Sequence, residues 1–313
     1  MKAIGYRRHG DVNVLEQLDV KKPTPRKGEV LVRVRAFGLN PLDYRLRRGE
    51  MRFVTWLKLP RYTASDFAGT IDALGEGVRG FSLNDRVFGM ASQLLNGCSA
   101  QFIRVPEAQL TLIPASLSFE KAAAVPLASL TAYQALTELT TINSGTRILI
   151  NGASGGVGTF ATQFALLRGA VVTTVTSYRN IEMMSDLGAH HTIDYTQRDF
   201  VDGDERFDVI FDCYGNRTFE AVHPALTPNG LYISTIPAFS RYRSVIFNPL
   251  RTRKSSVVVV RARGHQLAEI ADLIEAGDLR PIVERVYEPE AFREAYIHLE
   301  SKRTRGKLAV KMV

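Results

Sequence analysis

Residues 147–180 read RILINGASGGVGTFATQFALLRGAVVTTVTSYRN, and this stretch decides the fold. Ile148, Leu149 and Ile150 form an apolar run that enters a turn carrying Gly152, Gly155, Gly156 and Gly158. Val157, Phe160, Ala161, Phe164, Ala165 and Leu167 then recur at helical spacing and give a helix one apolar face. Val171 to Val175 is a second strand-like run. Strand, glycine turn, helix and strand within roughly 30 residues form the βαβ unit of a dinucleotide-binding fingerprint. The glycines let the backbone approach a pyrophosphate, and the N–H groups at the helix start favour its negative charge.

The end of the second strand discriminates between nicotinamide cofactors. NAD-selective sites place an Asp or Glu about 20 residues after the glycines, where it accepts from the ribose 2′-hydroxyl. Thr176, Ser177, Tyr178 and Arg179 occupy that stretch and include no acid. Arg179 can pair bidentately with a 2′-phosphate and Ser177 can donate to it, so the expected cofactor is NADPH. The alternative for Arg179 is a loop cation that caps or is merely solvated.

At 313 residues the chain can build two domains, each with its own core. Hydrophobic residues at 45% and charged residues at 23% are those of a soluble globular protein, and no apolar run reaches the length of a membrane span. The opening MKAIGYRRHGD has no apolar segment of signal-peptide length. Cys98 and Cys213 supply neither a disulfide framework nor a structural zinc site, so a reduced, cytoplasmic setting is expected. The net charge of +8 raises nucleic acid as a partner. The basic clusters at Arg45, Arg47 and Arg48, at Arg251, Arg253 and Lys254, and at Lys302, Arg303 and Arg305 are dispersed and lack an aromatic platform. They read as a solvated surface that attracts an anionic cofactor, not as a nucleic-acid site.

Residues 1 to about 122 read as mostly β, with alternating runs at Val30–Ala36, Phe67–Leu74, Arg86–Met90 and Ala100–Val105 separated by turn residues. Ser118 caps an Ala-rich helical pattern, and Leu127 to Leu139 continues at helical spacing. From Thr146 strands and helices alternate, with strands at Phe207–Cys213, Leu231–Ile236 and Val257–Arg261. Helical patterns lie between them at Asn180–Leu187 and Arg217–Leu226. This is the α/β pattern of a doubly wound parallel sheet with its ligand at the carboxyl ends of the strands. The tail reads as a helix near Gln266–Ala276, a strand near Ile282–Tyr287, a helix near Pro289–Ser301 and a final strand at Lys307–Met312.

The chain resembles the zinc-free members of the medium-chain dehydrogenase/reductase superfamily, close to the NADPH:quinone oxidoreductases. The resemblance spans essentially its full length. It rests on GEVLVRVRAFGLNPLDYRLRRG, SDFAGTIDALGEGVRGFSLNDRVFGM, SFEKAAAVPLASLTAYQAL, NGASGGVG and LRPIVERVYEPEAFREAYIHLESKRTRGKLAVKM. It implies a discontinuous GroES-like catalytic domain of residues 1–122 plus 278–313 and a Rossmann NADPH-binding domain of residues 123–277. It also implies a cleft between the two, hydride transfer and a homodimer. Zinc-dependent members have Cys where this chain has Asn40, a His-Glu pair at Ser65-Asp66, and a third ligand near Leu127. An amide, a hydroxyl and an isobutyl group cannot make a catalytic zinc site, so the expectation is no metal. Without a Lewis acid, quinones and α,β-unsaturated carbonyls are the fitting hydride acceptors, being already electrophilic.

By motif match, Asn40 sits beside the nicotinamide carboxamide or substrate oxygen, or is a turn residue before Pro41. Thr131 lies beneath the nicotinamide end of the cofactor or is an ordinary helix residue, and Ala153, Ser154, Gly155, Gly156, Val157 and Gly158 cradle the pyrophosphate. Tyr195 packs near the 2′-phosphate or serves simple packing, and Ser234 or Ile236 approaches the nicotinamide ribose through backbone atoms. Lys307 matches a position sometimes close to the cofactor or is a solvated lysine, the latter being the default, and Asp43 and Asp66 read as residues that hold turns. Some relatives carry a catalytic Tyr where this chain has Glu50, Met51, Arg52 and Phe53, which leaves Tyr62, Tyr44 or solvent as proton donor, with Tyr62 the best candidate. Met51, Phe53, Trp56 and Phe239 to Phe247 are candidate walls for a small apolar quinone or enone, or interdomain packing. Two alternatives stay open. One is an enoyl-thioester reductase with Arg241, Arg243, Arg251 and Arg253 as a basic rim; the other is a non-catalytic NADPH-binding protein.

Overall fold

The computed structural model describes residues 1–50, 59–91, 97–236, 245, 248 and 252–312. Met51, Phe53, Trp56, Phe239, Arg241, Arg243, Phe247 and Arg251, named above as candidate walls or rim, lie outside the described residues. The chain divides into two compact units, Met1–Leu127 with Ala262–Val313, and Ala128–Arg261.

The first unit begins with β1 (Lys2–Tyr6), β2 (Glu16–Asp19), β3 (Glu29–Gly38), α1 (Pro41–Arg48) and β4 (Arg61–Tyr62). It continues through β5 (Asp66–Leu74), β6 (Arg86–Met90), β7 (Phe102–Pro106), β8 (Leu110–Leu112) and α2 (Phe119–Ala123). After α3 (Pro126–Glu138), the second unit comprises β9 (Arg147–Asn151), α4 (Gly156–Leu167), β10 (Val171–Thr176), α5 (Ile181–Asp186) and β11 (His191–Asp194). It is completed by β12 (Phe207–Asp212), α6 (Phe219–Val222), β13 (Leu226–Ser234) and β14 (Lys254–Val257). The tail adds α7 (Gly264–Glu275), β15 (Val283–Tyr287), α8 (Phe292–Glu300) and β16 (Lys307–Lys311) to the first unit.

β3 organises the first unit. Val30, Val32 and Val34 are buried while Arg33 and Arg35 are exposed, the period of two of a strand with one wet face. β3 pairs antiparallel with β5, β7 and β16. Its sheet runs β15-β16-β3-β5-β6-β8, with β7 attached to β3, beside a separate β2-β1-β4 sheet. The register Ala309↔Gly38 shows why the tail belongs here: its last strand completes a sheet begun by the first forty residues. Phe292, Ala295, Tyr296 and Leu299 of α8 join the same core. The helix α7 also falls in this unit, ahead of the expected boundary at 277/278, because the backbone at Gly264 lies against β8. A Cβ there would come within 2.5 Å of the Leu110 carbonyl oxygen.

The second unit is a six-stranded parallel sheet in the order β11-β10-β9-β12-β13-β14. Ile148, Leu149, Ile150, Val209, Ile210 and Phe211 are all buried, as a sheet covered on both faces requires. The strand order reverses between β9 and β12, and there the carboxyl ends open the crevice that receives ligands in doubly wound folds. One expected strand is displaced. The apolar pattern puts it at Val257–Arg261, yet β14 covers Lys254–Val257 and pairs Lys254↔Leu231 through Val257↔Ser234. Asn248 clamps the polar Ser255 backbone, donating to its carbonyl at 2.7 Å and accepting from its N–H at 2.9 Å. Val259, inside the apolar run, is 63% exposed. Backbone pairing, not apolarity, set this edge.

Candidate functional site

The turn after β9 is built for close backbone approach. Gly152 has φ +77°, in the left-handed region that favours glycine, and both its N–H and that of Ala153 donate to the Val175 carbonyl at 3.2 Å. Gly155 caps α4, and the Thr159 N–H donates to the Gly155 carbonyl at 3.0 Å as the helix's first bond. The N–H groups of Gly156, Val157 and Gly158 precede that bond, at the positive end of the helix. A Cβ on Gly158 would fall 2.4 Å from the Gly152 oxygen and 2.5 Å from Ala153 Cα, so the helix packs on the turn at glycine distance. A Cβ on Gly155 would meet only the Gly152 oxygen, at 3.4 Å, and otherwise open space. An open, donor-lined cradle of this kind fits a dinucleotide pyrophosphate.

Two further loops border the turn. Ser177, Tyr178, Arg179 and Asn180 form a short 3₁₀ turn at the tip of β10, tied to the glycine turn by Asn180 Nδ2 donating to Ser154 Oγ at 3.1 Å. Arg179 is exposed, and no carboxylate occupies this tip. Thr176 Oγ1 and Asn180 Oδ1 are buried without a hydrogen-bond partner, which leaves polar capacity at the cradle's edge. Tyr195 follows β11, is exposed, and donates its N–H to the Thr176 carbonyl at 3.0 Å. Ser234 is buried at the end of β13, and Ile236 closes against Gly215, where a Cβ would lie 2.3 Å from its Cδ1. All of these positions thus collect at the carboxyl edge of one sheet.

Two residues here escaped the sequence reading. Asp212, at the end of β12, is fully buried and accepts from Asn151 Nδ2 (2.8 Å), the Gly215 N–H (2.7 Å), the Arg217 N–H (3.1 Å) and the Tyr232 hydroxyl (2.9 Å). It therefore joins the strand that precedes the glycine turn to the loop 213–217. Tyr214 in that loop lies with its Cβ 2.9 Å from where a Cβ on Gly152 would be. Tyr214 and Tyr178, 50% and 77% exposed, present aromatic rings on the loops either side of the glycine turn. An acid ending an apolar strand, FDCYG, was the signal available for Asp212.

In the first unit the structure brings Asn40 and Asp66 together around a residue expected to be solvated. Lys307, at the start of β16, is buried and donates to Asn40 Oδ1 (2.5 Å), the Leu39 carbonyl (2.9 Å) and Asp66 Oδ2 (3.2 Å). Asn40 Nδ2 donates to Asp66 Oδ2 at 2.9 Å, and the Leu127 N–H donates to Asp66 Oδ1 at 2.8 Å. Burial pushes the Asp66 carboxyl up, with the Lys307 ammonium, the Asn40 amide and the Leu127 N–H pulling the other way. Asp43, by contrast, holds a turn as expected: it accepts the Asn40 N–H at 2.8 Å at the start of α1. Tyr62 lies on β4, half-buried and paired with Gly5, and burial raises its phenol. Thr131 is buried within α3, in the second unit. Among the described residues no three His, Cys, Asp or Glu side chains converge as a metal-binding group. The fixed ammonium of Lys307, three of whose contacts are acceptors, opposes a second cation beside Asn40 and Asp66. Nor is any helix among the described residues long and apolar enough to cross a membrane.

Known proteins resemble this chain in sequence and in fold. Residues 26–115 match the alcohol dehydrogenase GroES-like domain family, and residues 187–310 match the zinc-binding dehydrogenase family. The quinone oxidoreductase of Pseudomonas aeruginosa is 31% identical over 324 residues, covering 97% of this chain and 98% of its own. The solved quinone oxidoreductase of Coxiella burnetii superposes with a TM-score of 0.91 at 29% identity, covering 100% of this chain and 99% of its own. That of Escherichia coli, complexed with NADPH, superposes with a TM-score of 0.86 at 25% identity over all of both chains. The parallel sheet with its glycine turn, the β domain closed by the tail and these full-length matches agree, and the chain belongs to the medium-chain dehydrogenase/reductase superfamily, among its quinone oxidoreductase-like members.

Proposed function

We propose that this protein is an NADPH-dependent reductase that delivers hydride to small apolar quinones or α,β-unsaturated carbonyls without a metal. The observation that carries the reading is the donor-lined glycine cradle bordered by exposed Arg179, with no acid at the tip of β10. The amides of Gly156, Val157 and Gly158 hold the pyrophosphate, with Ala153, Ser154 and Gly155 shaping the turn. Arg179 and Ser177 take the 2′-phosphate, with Tyr195 beside it, and the rings of Tyr178 and Tyr214 flank the adenine. Ser234 and Ile236 border the nicotinamide ribose through backbone atoms, and Thr131 supports the nicotinamide end. NADPH supplies the hydride when bound. The chain's part is to orient the acceptor, to place the Asn40 amide where its oxygen gains charge, and to return a proton, for which Tyr62 is the candidate donor. A homodimer in the cytoplasm completes the proposal.

The test follows NADPH consumption with an ortho-quinone, a para-quinone, a short enone and a crotonyl thioester, with NADH as control. Turnover confined to NADPH, with Arg179→Ala raising the NADPH Kd about 10- to 100-fold and leaving NADH unchanged, is the expected result. Equal use of the two cofactors by wild type and variant refutes the 2′-phosphate assignment. Turnover of the thioester far above any quinone would make the enzyme an enoyl-thioester reductase. Tight NADPH binding with no consumption would leave a non-catalytic binding protein.

A further inference from the structure

The lysine buried beside Asn40 has no part in the function proposed above, and it is expensive to keep. An ammonium and a carboxylate removed from water lose hydration that their mutual attraction does not fully restore, so a hydrophobic pair would serve stability as well. What the pair does fix is an amide. An ammonium only donates and an ionised carboxylate only accepts. With Lys307 Nζ 2.5 Å from Oδ1 and Asp66 Oδ2 2.9 Å from Nδ2, the Asn40 side chain has one allowed orientation. Its carbonyl oxygen accepts from Lys307, one amide hydrogen goes to Asp66, and the amide cannot flip, so the position of the second Nδ2–H is fixed. The backbone offers no latitude either, since the Asn40 N–H is held by Asp43 at 2.8 Å and the Lys307 ammonium also grips the Leu39 carbonyl at 2.9 Å.

We infer that Lys307 and Asp66 are positioning residues that lock the Asn40 amide in the one orientation in which its second Nδ2–H donates towards the oxygen of the hydride acceptor. This rests on the reductase reading. It deepens that reading by naming what holds the donor: a fixed N–H binds the substrate oxygen more strongly as that oxygen gains negative charge on hydride arrival, as a quinone or enone oxygen does. The two charges act through Asn40 and touch neither substrate nor cofactor.

The decisive variant is the double substitution Asp66→Asn with Lys307→Met, which removes both charges together and leaves no buried ion uncompensated. The amide introduced at position 66 can donate or accept, and the thioether introduced at position 307 donates nothing. The Asn40 amide therefore loses its single orientation while the volume is kept. The double variant is expected to stay folded, to bind NADPH with an unchanged Kd, and to lose about 10-fold or more in kcat with a ring quinone. In an Asn40→Ala background the same pair is expected to cause no further loss, since its effect passes through the amide. Lys307→Met alone leaves Asp66 unpaired, and its thermal transition should fall below that of the double variant. A folded double variant with kcat within about twofold of wild type overturns the inference, as does a loss that adds fully to that of Asn40→Ala. Failure of the wild type to turn over any acceptor would refute the reductase reading itself and this inference with it.

Discussion

The glycine cradle allows two substitutions of the same size to be predicted with opposite signatures. At Gly155 the φ of −82° suits any residue, and an added methyl meets only one oxygen, at 3.4 Å. Alanine there forfeits the preference for glycine over alanine at a helix cap but restricts the unfolded chain, so the net change in stability stays below about 1 kcal/mol. The methyl points into the space proposed for the pyrophosphate. Losing one charge-assisted backbone contact costs about 1.5–3 kcal/mol, which is roughly 10- to 150-fold in Kd. At Gly158 the same methyl would sit 2.4 Å from the Gly152 oxygen and 2.5 Å from Ala153 Cα, so the helix must retreat by about 1 Å to reach ordinary contact. The gain of about 0.5–1 kcal/mol from replacing a helical glycine is outweighed by overpacking of about 1–3 kcal/mol against rigid backbone. We therefore predict that Gly155→Ala keeps its urea midpoint but binds NADPH at least about 10-fold more weakly in a fluorescence titration. Gly158→Ala should lose both midpoint and affinity. Wild-type NADPH affinity in Gly155→Ala would refute the cradle; an unchanged urea midpoint in Gly158→Ala would refute the packing argument.

Other substitutions probe what holds the two units. Asp212→Ala removes the acceptor for two backbone N–H groups and the Asn151 amide, and should cost about 2–5 kcal/mol in urea unfolding, against well under half of that for an exposed acid such as Asp204. Asp72 receives Lys22 Nζ at 2.6 Å and Arg33 NH2 at 3.0 Å, and the Lys22 hydrogen bond foremost holds its carboxyl below the ordinary 3.8. A carboxyl depressed by folding contributes stability that is complete above its unfolded pKa and is lost as pH falls through the folded value. Asp72→Asn should thus be about 0.2–1 kcal/mol less stable than wild type at about pH 6 and equal to it near pH ~2; a gap that persists at the acid end would remove the charge from the explanation.

The sequence alone determined whatever rests on local pattern. The glycine turn, the helix that follows and the flanking strands form one short-range unit whose periodicity specifies it, and α4 spans Gly156–Leu167 accordingly. The missing acid at the tip of β10 and the lost zinc ligands are likewise matters of identity at a motif position, readable without coordinates. Tertiary structure decided what depends on partners far along the chain. Lys307 looks like any surface lysine in RGKLAV, yet its partners Asn40 and Asp66 lie 267 and 241 residues away, brought to it because β16 completes the sheet of β3. Asp212 gathers the Asn151 amide and the Tyr232 hydroxyl, 61 and 20 residues away, which the strand order β9-β12-β13 makes its neighbours. The edge strand β14 departs from the apolar pattern because backbone pairing with β13, not the run of valines, set its residues. A pattern records the face a residue prefers, whereas the worth of a buried charge depends on the charge opposite it, and only the closed fold brings the two together.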